Sequence, residues 1–327
     1  MELLGPLKFM PLFKNKIWGG DKIHTILKHD FSPLPNCGEL WAISGIPGNE
    51  SIVAEGPLEG NTLNEVLEVY MSDLVGEEIY DVFQNEFPLL IKFIDANDWL
   101  SVQVHPDDKL AEERDLESGK TEMWYIIQAD KGSQIIKGFS KDVSKEEYKQ
   151  HLENNTLESI LNFAPVKAGN AFYIDAKKIH ALGPGIILTE IQQSSDTTYR
   201  IYDWNRKNEN GNGRDLHIEA ALDSIDFNAE KGNEIHYHNH KNESQVIVDE
   251  KYFTTNILEF DSPIEKDYDE VNSFVIYIVT SGSFILKGSQ GDMDLGIGDV
   301  VMLPAITKKV ELHPLPKANI LEVFIKM

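Results

Sequence analysis

The chain has a single cysteine, Cys37, among its 327 residues. It therefore has no internal disulfide and no thiolate partner for a metal site, which fits a reducing compartment. Cys37 reads as a semi-buried, inert thiol. Basic residues are also scarce, with 30 Lys and Arg against 54 Asp and Glu, a formal charge of −24. No Lys/Arg-rich run occurs anywhere. Binding to duplex DNA, RNA or an anionic membrane depends on basic patches that neutralise phosphates, so the sequence argues against all three and for a small-molecule partner. Long apolar runs are missing as well. The longest, such as residues 274–280, fall well short of the roughly 18–20 residues that span a bilayer. Residues 1–9 lack the basic and apolar blocks of a signal peptide, so the expectation is a cytoplasmic protein.

What is present is the composition of a folded globular protein, 41% apolar and 26% charged, at a length that suggests two domains. Strand-like segments punctuated by Gly and Pro run through 39–44, 89–95, 100–105, 123–129, 133–137, 171–175 and 187–193, followed by a dense β tail from about residue 252. Helical periodicity marks 62–83, 140–163 and 214–225. The polar stretch 228–244 separates the last helix from the β tail. It divides the chain into domains 1–230 and 231–327.

An internal echo carries more information. GSQIIKG at 132–138 recurs as GSFILKG at 282–288, identical at five of seven positions, and a second match follows each copy, starting at Gly169 and Gly298. The helical block 140–163, present only in the first copy, accounts for the unequal spacing. One β module thus occurs twice. The pattern of strand, Gly turn, strand and Gly-x5-(Asp/Pro) resembles the jelly roll of cupins. The expected fold is mainly β: two cupin-type jelly-roll modules with a few covering helices.

The second cupin motif, Gly-x5-Pro-x-Gly-x2-His, ends in a metal-binding histidine. Gly169 and His180 keep that spacing, with Asp175 and Lys177 replacing the Pro and the second Gly. In the second copy Gly298 and Pro304 keep the frame, but Lys309 takes the histidine position. Aligning the Gly-Ser turns sets Glu122 opposite Asn272, so the second copy lacks that candidate ligand too. Upstream, Gln103 and His105 stand at i and i+2, on one face of a strand. Gln103, His105, Glu122 and His180 form an N/O donor set suited to Zn²⁺ or another borderline divalent ion. His217 and the cluster His236, His238 and His240 read as surface or satisfied residues.

These residues sit in segments with a specific resemblance. PLLIKFIDANDWLSVQVHPDD at 88–108, GKTEMWY at 119–125, IHALG at 179–183 and QSSDTTYR at 193–200 follow one another as do the signature segments of the type I phosphomannose isomerases. IWGG at 17–20 and GELWAIS at 38–44 resemble that family too. The likeness covers about residues 5–225, with the β tail similar to the family's C-terminal cupin. The chain resembles the family's short bacterial branch, since its length leaves no room for the additional large helical domain expected of the longer forms. Two positions depart from the pattern: Thr197 stands where Asn is usual, and Thr121 where Pro is more common.

The resemblance implies interconversion of mannose 6-phosphate and fructose 6-phosphate, with one Zn²⁺ per chain bound by His105, Glu122, His180 and Gln103. Arg200 matches the family's active-site arginine, Lys92 and Lys120 match pocket lysines, and Asp196, Lys92 and Arg200 are expected at the substrate. Elementary chemistry agrees. Moving a proton between C1 and C2 of an open-chain sugar through an enediol needs a base at the carbon acid and positive charge at two adjacent oxygens. Lys120, two residues from Glu122, is a candidate base if burial and the metal depress its pKa; Asp196 and a hydroxide on the metal are alternatives. Lys92 lies inside the apolar run LLIKFI, where an unpaired lysine is costly, so a function or a partner is expected for it. A metal-dependent cupin oxygenase is disfavoured, because the usual His-x-His pair is Gln103-x-His105 here. A non-enzymatic sugar-binding or regulatory cupin is the third reading. A net charge of −24 repels an anionic substrate, so Lys92, Lys120, Arg200 and the metal must invert the sign locally.

Overall fold

A computed structural model describes residues 4–207, 211–230, 232 and 234–327, whose strands form three antiparallel sheets. A six-stranded sheet runs in the order Leu12–Lys14, Glu39–Ile43, Leu89–Ala96, Ile186–Gln193, Glu122–Ala129 and Ala171–Ile174. A five-stranded sheet runs Tyr199–Tyr202, Val102–Val104, His180–Leu182, Gln134–Phe139 and Leu161–Pro165. The third sheet gathers the strands from Gln245–Asp249 to Lys309–Phe324 and takes in Leu7–Lys8 as an edge partner of Val300–Leu303. The mainly β, cupin-type architecture expected from the sequence is the one observed, and the strand-like segments read from it fall on strands.

Period-two alternation decides what each face buries. Ile94, Ala96, Trp124, Ile126, Leu188 of the six-stranded sheet meet Ile135 and Leu182 of the five-stranded one. On the opposite face Leu89, Ile91, Phe93, Met123 and Ile187 pack against Ile257, Ile276, Ile278 and Leu321 of the third sheet, so one core joins the two halves. The outer face of the five-stranded sheet is covered by Tyr148, Leu157, Ile160 and Leu222 from the helical segments.

The helical blocks are shorter than their periodicity predicts. Residues 62–83 form three helices, Leu63–Tyr70, Ser72–Val75 and Glu77–Phe83. A Thr62/Glu65 capping box starts the first, and the breaks fall at Met71 and Gly76, whose φ values are 49° and 99°. A Cβ on Gly76 would lie 2.3 Å from Asn272 O, so only glycine allows this close approach. In 140–163 only Lys145–Glu153 is α-helical; a 3₁₀ turn follows, and Leu161–Pro165 joins the five-stranded sheet. The third block reduces to Ile218–Leu222. The stretch 228–244 is tied to the first sheets, with Ile235 N donating to Ala171 O at 2.8 Å and Tyr237 OH to Gly169 O at 2.6 Å.

The two copies of the repeat differ in register. Glu122 pairs with Ile174, five residues after Gly169, whereas Leu303, five after Gly298, pairs with Val275. Val275, and not Asn272, therefore holds the Glu122 position, because the connection back from the Gly-Ser turn is shorter in the second copy. Neither residue is a metal ligand.

The IWGG and GELWAIS segments owe their glycines to mutual contact. A Cβ on Gly19 would lie 2.5 Å from Gly38 N, and one on Gly20 would lie 2.6 Å from Asp95 Oδ2. Asp95 accepts a bond from Lys22 N while its second oxygen is buried without a partner, and burial raises its pKa from 3.8 to about 6. An acid raised in the folded state is stabilising below its unfolded pKa, and that contribution is lost as pH rises through the folded value. The stability of the wild type relative to D95N, measured by urea unfolding, is expected to fall by about 1 kcal/mol between pH 5 and pH 7.5. A pH-independent difference would refute this reading of Asp95.

Candidate active site

Two rows of polar side chains line the interior of the first module. Lys92, Glu190 and Trp124 are neighbours across the six-stranded sheet. Arg200, Gln103 and His180 are neighbours across the five-stranded sheet. Their clustering follows from register. Ile186 pairs with Ala96, Leu188 with Ile94 and Glu190 with Lys92, so the shared inner face is apolar at one end and charged at the other. Both rows line a cavity of about 290 Å³ together with Lys120, Asp196, Trp18, Lys16, Glu39 and Arg214. A separate, more apolar cavity of about 160 Å³ is lined by Ile46, Pro47, Phe83, Phe87 and Pro88 and by no basic residue.

His105, Glu122 and His180 bring one donor atom each to within 4.8 Å of one another, the one such group among the described residues. Glu122 Oε2 lies 3.6 Å from His105 Nε2, and its Oε1 lies 3.3 Å from His180 Nε2. Each imidazole is oriented from behind, with Nδ1 bonded to a backbone carbonyl, Thr197 O at 2.9 Å and Lys178 O at 2.8 Å. This leaves each Nε2 lone pair aimed inward. The bond to residue 197 uses its carbonyl, so Thr in place of Asn leaves it intact. Thr121 N donates to Gln193 Oε1 at 2.9 Å, a bond that proline could not make.

Burial foremost pushes His105 well below its ordinary pKa and His180 down to about 4, so both are neutral donors at pH 7. Burial, then the charge of Glu190, raises Glu122 to about 7 against the pull of Lys120 and Lys92. Both Glu122 oxygens are buried without a hydrogen-bond donor. A buried carboxylate that accepts no hydrogen bond, set between two oriented imidazole lone pairs, fits a divalent cation. Gln103 lies beside the group, its amide nitrogen 3.2 Å from His180 Nε2. A half-turn of that amide would present its oxygen.

The remaining expected residues reach the same cavity. Lys120 Nζ is 3.1 Å from His105 Nε2 and 3.3 Å from Glu122 Oε2. Lys92 has the partner its apolar setting demanded: Nζ lies 3.3 Å from Glu190 Oε1 and 2.8 Å from Gln192 Oε1. Burial opposes both charges, yet Glu190 holds the Lys92 pKa above its usual value and Lys92 holds Glu190 below its own. Arg200 is half-buried, with Nη1 donating to Asp215 O at 2.8 Å and Nε lacking an acceptor. Asp196 is exposed at the mouth.

Sequence reasoning passed over Glu190, Trp124 and Arg214. Glu190 carried a signal, since it is a lone carboxylate in an apolar strand, as Lys92 is a lone lysine in another; Trp124 Nε1 donates to its second oxygen at 2.8 Å. Arg214 had none. It sits in an irregular polar segment and is brought to the cavity by Asp203, which accepts its Nε at 2.8 Å and also pairs with Arg206. The lining thus sets five cations, Lys16, Lys92, Lys120, Arg200 and Arg214, against Glu39, Glu190 and Asp196. His217 accepts from Arg200 N at 3.0 Å, and His236, His238 and His240 are exposed and outside the donor group.

Fold and site together define a cupin-type protein with a buried candidate metal-donor set opening into a basic cavity. Comparison with known proteins narrows the class. Residues 7–132 match the family described as phosphomannose isomerase type I, catalytic domain. The chain is 44% identical over 220 residues to a mannose-6-phosphate isomerase of Streptococcus mutans, covering 67% of each protein. It is 31% identical to the crystal structure of the mannose 6-phosphate isomerase from Bacillus subtilis, with a TM-score of 0.86 over 98% of this chain and 99% of that one. A structure described as mannose 6-phosphate isomerase, holo and zinc bound, shares the fold at 14% identity, with a TM-score of 0.77 over 99% of this chain and 100% of that one. The chain belongs to the type I phosphomannose isomerase family.

The Lys92–Glu190 pair is nearly sealed, with side chains 5% and 4% exposed. Breaking a buried pair from one side leaves an uncompensated charge, so E190Q is expected to lose about 3 kcal/mol in urea unfolding at pH 7.5. K92M in the E190Q background should recover part of that loss; additive losses would show that the two charges do not compensate each other.

Proposed function

We propose that the protein interconverts mannose 6-phosphate and fructose 6-phosphate, using one zinc ion held by His105, Glu122 and His180 with Gln103 as a fourth donor. The observation that carries this reading is the Glu122 carboxylate, buried without a hydrogen bond and set between two oriented imidazoles inside a cavity with excess cationic side chains. Two imidazoles and a carboxylate are a donor set typical of zinc with open positions, and the zinc-bound neighbour supports the same ion. When bound, the ion supplies Lewis-acid polarisation of the sugar's oxygens.

The chain's own residues do the rest. Arg200 and Arg214 present guanidinium groups suited to a phosphate or a developing oxyanion. Lys120 moves the proton: in its amine form it takes the C2 proton of the open-chain aldose as the C1 oxygen gains a proton, giving an enediol. As the ammonium it returns a proton to C1 while the C2 hydroxyl gives up its own proton, balancing the one gained at the C1 oxygen, and becomes the ketone. Its burial beside Glu122 and His105 supports this choice over the exposed Asp196. Lys92 presents its charge to the substrate from within its pair with Glu190. Residues 1–230 form the catalytic module, and residues 231–327 form a second cupin-like module without metal ligands. The substrate is a small sugar phosphate rather than a nucleic acid or a membrane; no described helix is long and apolar enough to cross a membrane.

A coupled assay should detect mannose 6-phosphate conversion that a chelator abolishes and zinc restores; absence of turnover by zinc-loaded protein would sink the proposal. R200A is expected to lower kcat by about 10²–10³-fold with unchanged zinc content. Loss of zinc from that variant would instead place Arg200 among the groups that build the metal site.

A further inference from the structure

The segment 119–122 carries both Lys120 and Glu122, yet Gly119 and Lys120 lie outside any strand. Its backbone is held from three sides. Lys120 N donates to Pro106 O at 3.0 Å, next to His105. Thr121 N donates to Gln193 Oε1 at 2.9 Å, and Gln193 N returns a bond to Thr121 O at 3.2 Å. Gly119 N donates to Asp108 Oδ1 at 3.3 Å, and a Cβ at 119 would come within 2.5 Å of Asp108 N, so the segment lies hard against the start of the Asp108–Glu113 helix.

Asp108 is the point where these ties meet. Its Oδ1 accepts from Gly119 N and from Gln193 Nε2, the latter at 2.9 Å. Its Oδ2 accepts from Tyr252 OH at 2.6 Å and Lys251 Nζ at 2.9 Å. Lys251 and Tyr252 belong to the turn between Gln245–Asp249 and Thr254–Phe260, strands of the third sheet. One carboxylate thus fastens a turn of the second module to the segment that bears a metal donor and a lysine of the cavity. None of Asp108, Lys251 and Tyr252 lines that cavity.

We propose that Asp108 is a positioning residue through which the second module braces residues 119–122, setting Lys120 and Glu122 relative to His105 and His180. The inference rests on the isomerase reading only for what Lys120 does; the placement of Glu122 stands apart from it. Partners behind a metal ligand are worth roughly 10–100-fold in metal affinity or activity when lost, and a small misplacement of a catalytic group is similarly costly. The brace acts one bond further out, so a smaller effect is expected.

The test uses D108A, D108N and Y252F in the full chain, reading kcat and KM for mannose 6-phosphate and zinc affinity by chelator competition. D108A is expected to lower kcat about tenfold with KM within about twofold, and to hold zinc about threefold more weakly. D108N keeps an acceptor for Gly119 N and Gln193 but none for Tyr252 and Lys251, so it should recover only to the level of Y252F. Y252F changes a residue outside the cavity and in the other module, so a loss of about threefold in kcat with unchanged melting temperature shows that the brace crosses between modules. Wild-type kcat and zinc affinity in D108A overturn the proposal, as does a Y252F variant identical to the parent. If D108A does not fold, Y252F decides. If the parent itself fails to isomerise mannose 6-phosphate, the isomerase reading falls, and zinc competition in D108A and Y252F decides the brace by itself.

Discussion

A buried carboxylate that accepts no hydrogen bond governs this structure. Glu122 sits at the start of an inner strand, fully enclosed, with neither oxygen receiving a hydrogen bond. Such a group is costly unless a cation completes it, and its surroundings answer that cost in order. Two imidazoles face it, each locked by a backbone carbonyl. Lys120 stands at its edge, and the Lys92–Glu190 pair lies beyond. The glycine contacts at 19, 20 and 38 bring Trp18 into the cavity wall.

The second module shows the same framework with its buried glutamate fully hydrogen-bonded. Glu322 is also a nearly inaccessible inward-facing glutamate, but its Oε1 meets Lys266 at 2.7 Å and Tyr268, and its Oε2 accepts from Ser244 at 2.9 Å and Asn256 at 3.0 Å. Burial opposes its ionisation, yet Lys266 and these donors bring its pKa below the usual carboxylate value, whereas Glu122 is driven up to about 7. One glutamate is saturated by its own module and serves packing. The other has Lys120 beside it at 3.3 Å and accepts no hydrogen bond. Aromatic side chains, including Tyr277 and Phe284, fill the second interior.

Charge is partitioned in the same manner. The chain carries −24 overall, a field that repels an anionic sugar phosphate at long range. Screening limits that repulsion to about 8 Å at physiological salt. Within the cavity, five cations outnumber three carboxylates, so the local sign is opposite to that of the whole chain. Net charge therefore bears on solubility and partner class and says little about the site.

Much of this was legible beforehand. Alternation located the strands, the repeated GS-x-I-x-KG turn pointed to a duplicated β unit, and spacing singled out Gln103 and the three residues, His105, Glu122 and His180, that the fold brings together. Ion pairing was half-legible: Lys92 announced that it needed a partner, but the partner was Glu190, ninety-eight residues away, and only sheet register joins the two. The true counterpart of Glu122 in the second copy, Val275, was hidden because loop lengths change between repeats while pairing geometry does not. Arg214 and the Asp108 brace left no periodic trace, since both depend on where irregular segments come to rest. Local chemistry and spacing are written along the chain, so the sequence determined the fold class, the candidate donor residues and the family resemblance. Which charges are compensated and which are left open is a property of distances between remote segments, and tertiary structure alone decided it.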